Sequence, residues 1–228
     1  MMELSIGYWQ ISIKRFWPSN DQLADIYNKA APRWHTVIRR PGYCHAYSRL
    51  FQQLTHEGVL DHLEDASTVL DGGIGTGAFS LALAKAVPYQ LQICGVDLSD
   101  TMVATARSLL CRAGVTAQVH QQDIRRLPYA DNTFDLVMSA HMLEHLPDPY
   151  VGLREMIRVL RPGAPVLFGP LGALLHLRWS NRSFTSEALP ARLAETGLKD
   201  IRFYPFTTGW SRWTSVACLG FKDKEGTE

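Results

Sequence analysis

Residues 69–79 read VLDGGIGTGAF: an apolar run, one acid, then four glycines within six positions. The run up to Asp71 reads as a strand, and "GAFSLALAKAVP" behind it reads as a helix. The glycines therefore occupy a strand-to-helix turn. Gly73, Gly75 and Gly77 allow backbone angles and a close approach that a Cβ would forbid, so a flat or extended ligand can lie directly on the turn.

Working outward, the pattern recurs. "LQICGVDLS", "TAQVHQQD", "FDLVMSAHM" and "APVLFGP" read as strands. Between them, "SDTMVATARSLLCRAG", capped by Ser99 and stopped at Gly114, and "DPYVGLREMIRVLRPG" read as helices. Alternation at this spacing predicts an α/β, doubly wound, Rossmann-like and mostly parallel sheet with helices on both faces. Ligands on such sheets sit at the carboxyl ends of the strands. Upstream, Leu23, Ile26, Tyr27, Ala30 and Trp34 recur at helical spacing until Pro41-Gly42, and Tyr47, Leu50, Phe51 and Leu54 mark a second helix. The segment before Pro18 is aromatic-rich and follows no single pattern; residues 4–17 would suit a docking arm for a partner or a membrane surface.

Composition narrows the function. A chain of 228 residues, 46% apolar and 20% charged, is long enough for one well-cored domain with appendages. A formal net charge of +1 provides no broad basic field, so nucleic acid is a poor partner. Cys44, Cys94, Cys111 and Cys218 form no CxxC pair, and the last three fall in segments read as buried strand or helix, as expected of reduced thiols. No apolar run is long enough for a signal h-region or a membrane span, which predicts a soluble, cytoplasmic protein.

Acids follow the apolar runs at the ends of three successive strands: Asp71, Asp97 and Asp123. Gly73, Gly75 and Ala78 also satisfy the dinucleotide pattern G-x-G-x-x-G/A, so an NAD-linked oxidoreductase is the alternative to weigh. Against it, a carboxylate immediately before the glycines suits a cationic ligand better than an anionic pyrophosphate. Asp97 stands where a carboxylate takes both hydroxyls of a ribose.

"VLDGGIGTG", "GVDLS", "QQDIRRLPYADNTFDLVMSAHMLEHLPDP" and "LREMIRVLRPGAPVLF" resemble, in order and spacing, the successive motifs of class I S-adenosylmethionine-dependent methyltransferases. The resemblance is to the type-11 group that includes ubiquinone and menaquinone biosynthesis methyltransferases, over roughly residues 67–222. It implies a seven-stranded sheet with a reversed last strand, "DIRFYPF" and "TSVACLGFK" being the final two strands. It implies a division into an N-terminal arm with lid helices (1–66) and an S-adenosylmethionine-binding core (67–228).

Carried over by position, Asp71, Gly72, Gly73, Gly75 and Gly77 would hold the methionine end of the cofactor. Gly72 departs from the family, which usually has a larger residue there. Asp97 would bind the ribose, Leu98 and Met102 would cover the adenine, Asp123 with the Ile124 amide would read its edge, and Ala140 would complete the cofactor site. His141, directly after the fourth strand, is the candidate base for a carbon or alcohol acceptor; an amine, thiol or phenolate can lose its proton unaided.

His141, Glu144 and His145 also spell the H-x-x-E-H signature of inverted zinc proteases, but Pro147 and Pro149 break the helix that motif needs. Some quinone O-methyltransferases that resemble this segment carry a Glu in place of His141 and hold a divalent ion there. No metal is expected here, and Glu144 with His145 would fix the loop beneath the site.

Tyr27, Trp34, His35, Tyr47, His176 and Trp179 are the candidate acceptor-binding residues, by analogy with lids over the family's pockets. The expected reaction is methyl transfer to a small, aromatic or quinone-like molecule, with S-adenosylmethionine as cofactor and no nucleic acid partner; a homodimer is compatible with it. The remaining alternative is a non-catalytic S-adenosylmethionine-binding module serving a partner enzyme.

Overall fold

The computed structural model describes residues 2–6, 9–13, 18–38, 41–171, 189–206 and 215–224. Strands β1 (Met2–Ile6) and β2 (Trp9–Ile13) form a two-stranded antiparallel pair. Helices α1 (Asn20–Ile38) and α2 (Pro41–His56) follow. Ser19 and Gln22 start α1 as a reciprocal cap: the Ser19 N–H donates to Gln22 Oε1 at 2.9 Å and the Gln22 N–H to Ser19 Oγ at 3.3 Å. Pro41-Gly42 does more than end α1, because α2 begins at Pro41, where a residue lacking an N–H costs a helix nothing.

The remaining elements alternate as the periodicity predicts: β3 (Thr68–Gly72), α3 (Ala78–Ala86), β4 (Gln92–Asp97), α4 (Asp100–Arg112), β5 (Ala117–Gln121), β6 (Leu136–Ala140), α5 (Pro149–Val159), β7 (Pro165–Leu171), α6 (Leu189–Ala194), β8 (Leu198–Phe206) and β9 (Ser215–Lys222). Ser99 caps α4, its Oγ accepting from the Met102 N–H at 3.1 Å, and Gly114 follows the helix at φ +71°. Seven strands form one sheet in the order β5-β4-β3-β6-β7-β9-β8. The pairs β5–β4, β4–β3, β3–β6 and β6–β7 are parallel, and β9 runs antiparallel to both β7 and β8. The reversed last strand is thus present.

Burial on both faces follows from the two-residue period of a strand. Val69, Leu136, Met138 and Leu167 pack toward α2, α3 and α4, while Leu70, Val137, Val166 and Phe168 pack toward α5 and α6. The first layer includes Tyr47, Leu50, Phe51 and Leu54 of α2, so the N-terminal helices share a core with the sheet. All four cysteines are free thiols; Cys218 is buried and Cys94 half-buried, but Cys111 is exposed. That corrects the expectation for Cys111, since an amphipathic helix buries only one stripe and Leu110 occupies it.

Candidate active site

The strand order changes direction between β3 and β6, and at such a switch point the loops leaving neighbouring strands diverge and open a crevice. A cavity of about 840 Å³, its mouth included, lies there. Its floor is the turn after β3. Gly73 and Ile74 both donate backbone N–H to the Val96 carbonyl, at 2.8 and 2.9 Å, which folds the turn onto β4. Gly73 has φ +70°, and a Cβ there would stand 2.4 Å from Cγ of Met142. At Gly75, φ is +53° and an added Cβ would meet nothing nearer than 3.9 Å, so the space above it is free for a ligand.

Two carboxylates flank this floor. Asp97 ends β4, with Oδ2 accepting from the Gly75 N–H and Oδ1 from the Ser99 N–H, each at 2.9 Å. Burial raises its pKa, and the Ser99, Gly75 and Leu98 amides oppose that shift. Asp71 is buried in β3 and accepts from Ser80 Oγ at 2.6 Å. Burial pushes its carboxyl up to about 7 despite that hydrogen bond, and the charge of Asp97 adds to the rise. Thr76, buried on the same wall, has an Oγ1 without a hydrogen-bond partner among the described residues.

Ile74, Leu98, Met102 and Ile124 provide apolar wall, and Ala140 ends β6 at the far side. Three of the sequence-predicted cofactor positions do not line the cavity. Gly72 faces Ile124, whose Cδ1 would lie 2.6 Å from a Cβ. Gly77 caps α3 and lets α4 approach, an added Cβ falling 3.3 Å from Cα of Ala106. Asp123 pairs with Arg125 at 2.6 Å and accepts from Asn20 Nδ2 at 2.8 Å. Burial would raise its carboxyl, but these partners hold it below the usual carboxylate range.

The other half of the cavity is aromatic. Helix α1 contributes Leu23, Tyr27 and Trp34, and α2 contributes Tyr47. Asn20 ties α1 to Asp123 and Arg125, and Asn28 ties it to Ser99. His35 is half-buried but not on the cavity wall. His176 and Trp179 lie outside the described residues.

His141 reaches the wall by an unusual backbone. Its φ of +56° is rare for a non-glycine residue, and its N–H donates to the Gly169 carbonyl at 2.8 Å. The rings of Trp34 and Tyr43 stand edge-on to the imidazole, with centroids at 6.2 and 5.7 Å. Leu143–His145 is a single 3-10 turn, so His141, Glu144 and His145 do not share the long helix of a zinc protease. His145 also lines the cavity, its ring 5.6 Å from that of Tyr27, and burial lowers its pKa.

Leu23, Val96, Gln122 and Met142, which no motif in the sequence singles out, also stand on the wall. Gln122 was the most accessible of these, since it follows β5 directly. The rest are ordinary core residue types whose orientation no local pattern reveals.

Residues 70–168 match a family described as a methyltransferase domain. A demethylmenaquinone methyltransferase of Staphylococcus aureus is 29% identical over 191 residues, covering 70% of this chain and 77% of the relative. Magnesium protoporphyrin IX methyltransferase (ChlM) from Synechocystis PCC 6803 with bound SAH superposes with TM-score 0.69 at 18% identity, over 90% of this chain and 100% of that one. The [4+2]-cyclase SpnF superposes with TM-score 0.71 at 19% identity, covering 92% and 98%. The architecture thus carries more than one chemistry, and the site must decide between them. Residues 70–168 are thus a methyltransferase domain, set in the fold that these solved structures share.

Proposed function

We propose that this methyltransferase moves the methyl group of S-adenosylmethionine to a small aromatic or quinone-like acceptor. The observation that carries the reading is one continuous cavity, with two carboxylates and an open glycine turn at one end and Tyr27, Trp34, Tyr47 and His141 at the other. The name of the Staphylococcus aureus relative supports the acceptor class.

The floor fits the cofactor chemically. Thr76 Oγ1 has no partner among the described residues, one that a ligand can supply, and Gly75 leaves room for a ligand. Asp97 would hold the ribose hydroxyls through its remaining lone pairs, and Leu98, Met102 and Ile124 would enclose the adenine. Asp71 would offset the positive charge at the methionine end. When bound, S-adenosylmethionine supplies an electrophilic methyl group on a positively charged sulfur. The chain's part is then alignment and exclusion of water: α1 and α2 cover the cavity, and the tyrosines and Trp34 present ring faces and edges to a planar acceptor and to the charge. His141 would take the acceptor's proton. Tyr27, Tyr43 and Tyr47 are poor bases, because burial raises all three phenols further above neutrality.

The direct test follows labelled methyl from S-adenosylmethionine into naphthohydroquinone, a catechol, RNA and total protein, with Asp97→Ala as control. Label is expected in the aromatic small molecules and absent with the variant. Label found only in RNA or protein would overturn the acceptor class.

A second expectation concerns pH. Burial pushes the Asp71 carboxyl up to about 7, so it is largely protonated at pH 6. A cation beside it favours the ionised form, so binding at pH 6 must release a proton. Affinity should therefore rise with pH up to about 7 and level off above it, changing by as much as about tenfold per unit below. Without ligand the sign is opposite for stability: Asp71 destabilises the fold increasingly as pH rises from about 4 towards 7. Titration calorimetry in buffers of different ionisation enthalpy should detect proton release at pH 6 and little at pH 8.5. No more proton release at pH 6 than at pH 8.5 would show that Asp71 does not meet the cation.

A further inference from the structure

Glu144 is half-buried, its side chain 13% exposed, yet it does not line the cavity. It stands behind His141, its Oε1 3.7 Å from His141 Nδ1. That is an ion-pair distance, and such contacts tighten when a site closes on its substrate. The single turn Leu143–His145, held by the His145 N–H on the Met142 carbonyl at 2.9 Å, brings positions 141 and 144 to one side.

The surrounding charges are specific. Glu144 faces His141 and His145 on its own segment, Tyr27 from α1, and Tyr43 and Tyr47 from α2. Asp97 acts on Tyr27 and Asp71 on Tyr47 from the cofactor end. Burial alone would raise the Glu144 carboxyl, but His141 and His145 hold it below the usual range, so it stays ionised. The imidazole has little freedom. Its backbone is pinned to Gly169, and the Trp34 and Tyr43 rings meet its plane at 86° and 61°.

We propose that Glu144 is a positioning residue for methyl transfer: it holds the Nδ1–H of His141, so that Nε2 takes the proton of an acceptor hydroxyl, which assigns the acceptor to the phenols and hydroquinones. The proposal rests on the reading of the site as a small-molecule methyltransferase. An acceptor that arrives as a neutral phenol rather than as a phenolate keeps its proton at neutral pH, near the tyrosine value of about 10, and so needs a base where a thiol or an amine does not.

The step balances. The acceptor oxygen forms a bond to the methyl carbon as the methyl–sulfur bond breaks, and that electron pair remains on sulfur as an uncharged thioether. The hydroxyl proton passes to Nε2. One cation is lost at sulfur and one gained on the imidazole, beside a carboxylate already in place. If the ring carbon next to the hydroxyl is methylated instead, the hydrogen on that carbon then moves to the oxygen.

Two measurements test it. Nitrogen NMR of the wild-type protein with bound S-adenosylhomocysteine at alkaline pH should show His141 protonated at Nδ1; protonation at Nε2 overturns the proposal without any acceptor being needed. With naphthol and naphthohydroquinone as acceptors, Glu144→Gln should lower kcat by at least about tenfold and move the acid limb of the pH–rate profile to lower pH. S-adenosylhomocysteine affinity and the acceptor KM should stay within about twofold of wild type, and Glu144→Asp should recover part of the rate. An unmoved acid limb, or loss of cofactor binding together with activity, would assign Glu144 a structural role only. Wild-type transfer to naphthylamine or naphthalenethiol but to neither hydroxyl compound would overturn the acceptor class. Transfer to none of the four would overturn the functional reading itself, while the wild-type tautomer still decides the role of Glu144.

Discussion

Asp97→Ala is expected to weaken S-adenosylmethionine binding by about 10²- to 10³-fold, the loss of two charge-assisted hydrogen bonds worth about 1.5–2 kcal/mol each. The carboxylate acts twice. It would offer lone pairs to the ribose, and it already accepts from the Gly75 and Ser99 amides, so its removal also releases the turn on which the cofactor would lie. Asp97→Asn keeps the shape but exchanges one acceptor oxygen for a donor, which opposes one of the two amides. It should fall between wild type and Asp97→Ala. Titration calorimetry gives both affinities directly, and binding by Asp97→Ala within about threefold of wild type would exclude Asp97 from the cofactor site.

Phe51→Ala should cost about 3–5 kcal/mol, because the side chain is fully buried and its removal leaves a cavity that only partial collapse can fill. Its ring lies 4.8 Å from that of Phe79, and Phe79 in turn meets Tyr47 at 4.9 Å. Phe79 and Tyr47 line the cavity, so Phe51 backs its wall without touching a ligand. For a chain of this size the expected fall in Tm is about 6–20 °C. The shared core of α2, α3 and the sheet predicts that the variant still melts in a single transition. A separate early transition would instead mark residues 1–66 as an independent unit.

The site was legible in uneven measure. Asp71, Asp97 and the glycines could be read because each strand end is a local event: an apolar run stops, and an acid or a glycine stands where a turn must begin. Asp123 was read by the same rule, yet in the structure its carboxylate faces Arg125 and Asn20. Arg125 is two residues away, but Asn20 is 103 positions distant on α1, a proximity no local pattern carries. Gly77 was read as part of the ligand turn, whereas its missing Cβ makes room for α4. The surroundings of His141 include Trp34 and Tyr43 from two different helices, which only packing brings to one imidazole.

The sequence by itself determined the alternation of strand and helix, the turn after β3, the reversed final strand through its family resemblance, and the acids at the strand ends. These rest on period and residue type within a few positions, where sterics and capping act without help from the rest of the chain. Only the tertiary structure decided which residues face the cavity, what α1 and α2 bring to it, and how Asp71 and Glu144 are charged. Those outcomes depend on burial and on partners far apart in sequence, since desolvation and charge pairing are properties of a folded surrounding.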